Sequence, residues 1–284
     1  MRSSGICSFD PVMTVNSGQA FLWRQVNRNW YGVHGDCIVK FSKSAEGFEF
    51  SSFPERKDVE RDLFRLDDDI DSISAEMSRD PFIAGLLNTY GGLCLMRQNP
   101  AQCLFSFVCA SNTNIPMIRR MLYTLAKKYG QEVSADGMEF HTFPSPEAMN
   151  KVSESDLRAC GLGYRAKAVR AVAQGIESGT LDLAVLEKTG YADAKQQLLK
   201  LYGVGPKIAD CVLLFSLNKL EAFPIDIWIA RALAAHYDWL CRFGEKLTAR
   251  QYEALSESVR KHFGRHAGYA QQYLYYHMRQ GKKW

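Results

Sequence analysis

The amino-acid sequence predicts an α+β protein, with a small antiparallel β-sheet domain followed by a larger all-α domain. In the first third, short runs rich in aromatic and β-branched residues alternate with turn signals, which is typical of an antiparallel meander. From about Arg56 the apolar residues recur with a helical period, with no internal repeat or low-complexity linker. We therefore divide the chain into an N-terminal antiparallel sheet domain with flanking helices, residues 1–95, and a helical domain, residues 96–284.

Each element of this division has its own signal. Strands are predicted over residues 20–26, 30–33, 37–41 and 48–53, separated by turn signals at 27–29, 34–36 and 45–47. Residues 81–87 form a short amphipathic stretch. Asn99 and Pro100 suit the cap and first turn of a helix, and Asn114 and Pro116 open another that ends near Gly130. A loop is predicted over 131–146, followed by helices at 154–160, 165–178, 192–202, 206–217, 227–237, 248–263 and 267–280.

Composition narrows the class of protein without naming a function. The chain has 284 residues, 46% of them hydrophobic, and a net charge of +4, which permits a nucleic acid partner but does not require one. It has no run of 18 apolar residues and no apolar leader, so we expect neither a membrane span nor secretion. Eight cysteines form no C-x-x-C pair and fit no zinc or iron–sulfur spacing, which favours buried thiols in a reducing, intracellular compartment.

The most informative segment is residues 196–211, QQLLKLYGVGPKIADC. A helix that ends at Gly203, a turn through Val204 and Gly205, and Pro206 in the first turn of the next helix give a helix–hairpin–helix. We expect the free N–H groups of the hairpin and of the second helix to point outward and bind a phosphate without reading sequence. A helical corner that serves only packing is the alternative for the glycines alone.

Two polar residues near this hairpin indicate chemistry. Lys207 lies in the first turn of a nearly all-apolar helix, where the helix dipole disfavours a cation. Partial desolvation there is expected to lower its pKa, as an amine nucleophile requires, although a lysine that simply reaches water is the alternative. Asp226 follows Lys207 by nineteen residues and precedes an apolar segment. It is a normal N-cap, and a capping carboxylate is held rigidly enough to face a developing cation.

At these residues the chain resembles the helix–hairpin–helix DNA glycosylase superfamily, and within it the 8-oxoguanine DNA glycosylases, in a branch expected to be prokaryotic. The resemblance covers nearly the whole chain. Its remaining blocks are residues 17–24 (SGQAFLWR), 96–100 (MRQNP), 103–115 (CLFSFVCASNTNI), 161–166 (GLGYRA) and 267–271 (AGYAQ).

The resemblance implies a bifunctional glycosylase and AP lyase of base excision repair. Its partner would be double-stranded DNA containing 8-oxoguanine, whose damaged nucleotide is turned out into a pocket. Lys207 would attack the sugar C1′, displace the base and form a Schiff base that leads to β-elimination, while Asp226 stabilises positive charge on the sugar. We expect a monomer in the cytoplasm, at the nucleoid if prokaryotic. No cofactor or metal is expected, except that backbone carbonyls near the hairpin are able to hold a monovalent cation, as in relatives.

The resemblance also assigns the base-binding residues. The carbonyl of Gly18 would accept a hydrogen bond from the protonated N7 of 8-oxoguanine, which normal guanine lacks. Gln271 would read the Watson–Crick edge, Cys211 and Tyr275 would sandwich the base, and Phe215 would line the pocket floor. Without the family match, Gly18 is a turn glycine, Gln271 a solvated helix residue, and the others core residues.

A second group would contact the DNA. By resemblance, Asn112 fills the gap left by the extruded base, Tyr164 wedges into the stack, and Arg165 contacts the base left unpaired. Two positions depart from the familiar eukaryotic members. Met117 replaces one of two arginines that read the opposite cytosine, which predicts a weaker preference for cytosine. Trp228 replaces a histidine that lies against phosphate.

Other functions remain open at this stage. An alkylated-base glycosylase on the same fold keeps the aspartate but lacks Lys207. The thymine-glycol and adenine-mismatch group usually carries a four-cysteine iron–sulfur loop near the end of the chain, whereas only Cys241 follows Cys211 here. A non-enzymatic hairpin module that binds DNA would not need Lys207 and Asp226 together.

Overall fold

The computed structural model describes residues 9–240 and 247–280, and its architecture confirms the predicted α+β class. Four strands form an antiparallel sheet in the order β1-β2-β3-β4. They are β1 (Trp23–Val26), β2 (Asn29–His34), β3 (Cys37–Ser44) and β4 (Gly47–Phe53). Phe41 lies opposite Trp30 on one side and Phe50 on the other, and these rings join Trp23 and Phe64 in a separate apolar cluster. This aromatic face fixes the register of the sheet.

Short helices precede and follow the sheet along the chain: α1 (Pro11–Asn16), α2 (Val59–Leu63), α3 (Ile70–Met77) and α4 (Pro81–Thr89). The remaining helices are α5 (Pro100–Cys109), α6 (Ile115–Tyr129), α7 (Pro146–Lys151), α8 (Glu154–Leu157), α9 (Arg165–Glu177), α10 (Leu183–Lys188), α11 (Tyr191–Leu199), α12 (Pro206–Ser216), α13 (Ile227–His236), α14 (Ala249–Phe263) and α15 (Ala267–Arg279). Asn99 and Asn114 cap α5 and α6, as predicted, because their side chains accept the N–H groups of Gln102 and Met117.

The predicted loop over 131–146 is wrong in part, because it contains a second antiparallel pair, β5 (Glu132–Ala135) and β6 (Met138–His141). Asp136 and Gly137 join the two strands with φ of 50° and 74°, and Asp-Gly is a strong signal for a two-residue hairpin. The predicted helix at 154–160 is also divided, with α8 passing into a π-helical turn at Arg158–Leu162. Helices α1, α7 and α10 escaped prediction because each has only six residues.

The helix α12 lies at the centre of the helical domain. Every residue from Ile208 to Ser216 is buried, as the nearly all-apolar sequence of this helix predicts, and α12 packs against α5 and α11. A buried helix is a rigid support, so the hairpin and Lys207 at its N-terminus are well fixed. Within the described residues, no helix is long and apolar enough to cross a membrane.

Candidate active site

A cleft with a volume of about 930 Å³ opens where the N-terminal segment, the α5–α6 turn, α15 and the starts of α12 and α13 meet. Eleven of the residues singled out from the sequence line it: Gly18, Asn112, Gly203, Gly205, Lys207, Cys211, Phe215, Asp226, Trp228, Gln271 and Tyr275. Four others, Met117, Tyr164, Arg165 and Val204, do not line it. Of these, Met117 and Tyr164 are exposed, at 40% and 57% of their surface. Groups from both ends of the chain therefore meet in one cavity.

The hairpin has the predicted shape, but the geometry requires glycine at only one of its two glycine positions. Gly203 has φ of +83°, and a Cβ there would lie 2.4 Å from that of Ala168, so only glycine fits. Gly205 has an ordinary φ of −93° and open space beside it, so neither the backbone angle nor the surroundings at this position require glycine. The N–H of Val204 is also not free, because it donates to the carbonyl of Leu201.

The N-terminus of α12 remains available to an anion. Among the described residues, no side chain caps this helix at Gly205, so its first N–H groups lack a side-chain acceptor. The carbonyls of Leu201 and Gly205 accept the N–H groups of Val204 and Ala209. A carbonyl oxygen has a second lone pair, so these bonds are compatible with the monovalent cation expected near the hairpin.

Lys207 is half-buried in the cleft, with its Nζ 5.2 Å from the centre of the Phe107 ring. Burial disfavours the ammonium, but the sulfur of Cys211 and the carboxylate of Asp226 favour it, and the pKa of Lys207 ends above its ordinary value. The predicted lowering of this pKa is therefore wrong. Desolvation and the helix dipole act against the ammonium, but the negative charge of Asp226, which only the fold brings to the cleft, acts in its favour. The amine has to lose a proton before it can attack.

Asp226 caps α13, as its position before an apolar segment predicts. Its Oδ1 accepts the N–H groups of Trp228 and Ile229, at 3.0 and 2.9 Å. These two bonds fix the carboxylate at the cleft wall, where both Asp226 and Lys207 line the same cavity. A fixed negative charge beside a cavity is suited to stabilising a cation that develops inside it.

The far wall of the cleft combines apolar surface with a few polar atoms. Gln271 is only 4% exposed, contrary to the solvated position usual for a helix glutamine, and its Nε2 donates to the carbonyl of Pro224 at 3.0 Å. Its buried Oε1 has no hydrogen-bond partner within the described residues, and a buried orphan acceptor indicates a missing donor. Burial raises the pKa of Cys211 to about 12, so it lines the wall as a neutral thiol beside Phe215.

The mouth of the cleft is formed by a tight turn after α5. Asn112 has φ of 48° and is exposed. The Nε of Arg165 and the hydroxyl of Tyr164 both donate to the carbonyl of Ser111, at 2.9 and 3.1 Å, and Nη2 of Arg165 donates to that of Asn112 at 3.2 Å. Two residues from the start of α9 therefore hold Asn112 in place at the entrance.

Sequence reasoning missed a buried polar network below the hairpin. Asp210 accepts hydrogen bonds from Lys195 at 3.0 Å and from the hydroxyls of Tyr191 and Tyr252, each at 2.7 Å. Tyr252 in turn accepts the N–H of Ile225 at 3.2 Å. Because Ile225 precedes Asp226, this network ties α11, α12 and α14 to the segment that carries the cleft carboxylate. Lys195 and Asp210 are charged residues in largely apolar helices, which is a sequence signal for a buried polar network. Nothing in the sequence, however, identifies the partners of either residue.

Fold and cleft together define a helix–hairpin–helix protein of the base excision DNA repair class. Residues 5–104 match the N-terminal domain of 8-oxoguanine DNA glycosylase, and residues 105–258 match the HhH-GPD superfamily of base excision DNA repair proteins. The chain belongs to the 8-oxoguanine DNA glycosylase family within that superfamily, as the motifs predicted.

Relatives of known name agree with this assignment. The chain is 30% identical to a probable N-glycosylase/DNA lyase of Methanothermobacter thermautotrophicus, over 95% of this chain and 94% of the relative. It is also 30% identical to the N-glycosylase/DNA lyase OGG1 of Arabidopsis thaliana, over 93% and 75%. Among solved structures, it matches the 8-oxoguanine glycosylase/lyase of Clostridium acetobutylicum in complex with double-stranded DNA containing cytosine opposite 8-oxoguanine. That match has a TM-score of 0.87 and 29% identity and covers 96% of this chain and 92% of the other.

Proposed function

We propose that this protein excises 8-oxoguanine from duplex DNA and then cleaves the strand, with Lys207 as the nucleophile and Asp226 as the stabilising carboxylate. The observation that carries the proposal is the single cavity that brings these two residues together with Gly18, Gln271 and a hairpin able to bind phosphate. A base inside a duplex cannot reach such a cavity, so the nucleotide has to be turned out of the stack.

The recognition side of the cavity fits an oxidised guanine. The Watson–Crick edge of guanine offers N–H donors, and the orphan Oε1 of Gln271 is an acceptor that lacks one. The carbonyl of Gly18 would accept the N7–H that only the oxidised base carries, and a buried unpaired acceptor costs about 1–3 kcal/mol. Cys211 and Tyr275 would enclose the ring. Discrimination between the two bases would therefore rest on one hydrogen bond in a dry site.

The chemistry starts from a protonated Lys207. The ammonium gives up a proton, and the neutral amine forms a bond to C1′ while the bond from C1′ to the base breaks. The departing base keeps the bonding electrons and takes up one proton. The attached nitrogen then loses a proton, and its lone pair forms a C=N bond to C1′ while the bond from C1′ to O4′ breaks and O4′ takes up a proton. The resulting Schiff base makes a C2′ proton acidic, and its loss expels the 3′ phosphate by β-elimination. Asp226 would lower the energy of the first step by facing the positive charge on the sugar.

The surroundings of the cleft would hold the duplex. The N-terminus of α12, with Gly203, Val204 and Gly205, would bind a backbone phosphate without sequence preference. Trp228 would lie against a neighbouring stretch of backbone. Because DNA is the proposed substrate, we place the protein in the cytoplasm, at the nucleoid if the source is a prokaryote. We further propose that the sheet domain ends at residue 95 and that the catalytic domain begins at residue 96.

The distorted duplex would be held at the mouth of the cleft. Asn112 would occupy the gap left by the extruded nucleotide, Tyr164 would wedge into the stack, and Arg165 would face the opposite base once it releases the turn at Ser111. Met117 offers no hydrogen-bond donor, so only Arg165 would read the opposite base. We therefore propose a relaxed preference for cytosine opposite the lesion.

A cleavage assay tests the proposal. Duplexes with one 8-oxoguanine opposite each of the four bases would be incubated with wild type, Lys207→Gln and the control Lys188→Gln, an exposed lysine at the end of α10 that does not line the cleft. Cleavage and borohydride trapping should vanish only in Lys207→Gln, because only a Schiff base is captured. Binding without activity on all four duplexes would mean that the base specificity is wrong. A strong cytosine preference would contradict the role given to Met117.

A further inference from the structure

The base-binding wall is supported from behind by Arg279, the last residue of α15. Its side chain is buried, with 8% of its surface exposed, and it does not line the cleft. Its Nη1 donates a hydrogen bond to the hydroxyl of Tyr275 at 3.0 Å, and its guanidinium carbon lies 5.1 Å from the centre of the Tyr275 ring. Four residues separate the two, so they are neighbours on one face of the helix.

The same guanidinium also contacts the turn at Gly18. A Cβ built on Gly18 would lie 2.2 Å from Nη1 of Arg279 and 2.8 Å from Cε1 of Tyr275, so both side chains pack closely against this residue. Gly18 has φ of +88°, which favours glycine independently of this contact. Arg279 therefore touches both groups that would recognise the oxidised base: the carbonyl-bearing turn and the stacking ring.

We propose that Arg279 is a positioning residue for lesion recognition, which ties the hydroxyl of Tyr275 to the turn at Gly18 and so sets the spacing between the ring and the carbonyl. This inference rests on the proposed function of the cleft. The link needs a tyrosine, because a phenylalanine at position 275 would have no oxygen to accept the hydrogen bond. A shift of well under 1 Å in a recognition group is enough to weaken a buried hydrogen bond.

The experiment compares two substrates that differ only in the base. Single-turnover excision would be measured on a duplex with 8-oxoguanine opposite cytosine, and strand cleavage on the same duplex with an abasic site, which has no base to recognise. The variants are Tyr275→Phe, Arg279→Leu and the double variant. Arg61→Leu, at an exposed position in α2, is the matched control. Thermal unfolding would be recorded for each.

We expect each single variant to lose roughly tenfold or more in excision, because tenfold corresponds to the low end of the range for one hydrogen bond with a charged donor. The double variant should lose no more than either single one, because both remove the same link. Abasic cleavage should stay within about twofold of wild type. Tyr275→Phe keeps the result interpretable if Arg279→Leu does not fold, because it removes only one oxygen.

Other outcomes separate the inference from the proposed function. Full excision by Tyr275→Phe, or additive losses in the double variant, would overturn the positioning role. Equal losses on the abasic and the 8-oxoguanine duplex would show that Arg279 acts only through stability. Failure of wild type on both substrates would instead refute the proposed function.

Discussion

Replacing Asp226 by asparagine should separate the two roles of this residue. Asparagine accepts hydrogen bonds at an N-cap about as well as aspartate, so the bonds from Trp228 and Ile229 should persist and stability should change little. The negative charge beside the cleft would be lost. Removing one preorganised electrostatic group typically costs about 10²–10³ in rate, and we expect excision of 8-oxoguanine by Asp226→Asn to fall by that factor.

The same change should act in the opposite direction on Lys207. The carboxylate of Asp226 is one of the groups that raise the pKa of Lys207, so its neutralisation should lower that pKa and increase the fraction of neutral amine. Borohydride trapping on an abasic duplex, where no base has to leave, should therefore be kept or become faster at pH 7. Single-turnover excision and trapping measured side by side would show the split.

Helix α10 supplies a matched control for the capping role. Asp182 caps it with the same geometry, since its Oδ1 accepts the N–H groups of Ala184 and Val185 at 2.9 and 3.0 Å, and it does not line the cleft. Asp182→Ala should cost about 1 kcal/mol of unfolding free energy with full activity, as expected for a lost cap. Excision by Asp226→Asn within threefold of wild type would refute the electrostatic role.

Three further predictions concern charge in and around the cleft. Lys195→Met leaves the fully buried Asp210 carboxylate without its cation. The loss should lower the free energy of unfolding by about 3 kcal/mol and Tm by roughly 6–12 °C. A loss under about 1 kcal/mol in denaturant unfolding would contradict this. Because the pKa of Lys207 is raised above its ordinary value, the amine is mostly protonated near neutral pH and its neutral fraction rises about tenfold per pH unit. Abasic trapping should rise in the same way from pH 6 to 9, and a plateau below pH 8 would count against this. Met117→Arg should raise the preference for cytosine opposite the lesion roughly tenfold in the assay with four duplexes. An unchanged profile would show that residue 117 does not contact the opposite base.

The sequence was sufficient where the signal is local. Caps such as Asn99 and Asn114, the hairpin with Pro206, and the alternating aromatic strands each lie within a few residues of the structure they specify. The family assignment was also within reach, because it rests on blocks of adjacent residues. The hairpin at Asp136 is equally local, but its strands have only four residues each, which makes their alternation a weak signal.

What could not be predicted depends on partners far apart along the chain. The direction of the pKa shift of Lys207 depends in part on Asp226, which reaches the cleft only through folding. The contact of Arg279 with Gly18 joins positions 261 residues apart (279 − 18), and no pattern in either segment signals it. The pKa shift of a group in a cavity is the sum of the effects of all its neighbours. A sequence motif that identifies only one neighbour therefore does not determine the direction of the shift.

The spacing of the side chains on α12 relates the burial of this helix to the proposed function. Lys207, Cys211 and Phe215 follow one another at intervals of four residues, which places them on one stripe of the helix, and all three line the cleft. Asp210 is displaced from that stripe and joins the buried network with Lys195 instead. One face of the helix thus carries the proposed chemistry while an adjoining face is anchored, so the nucleophile stands on an element that cannot move without breaking a buried ion pair.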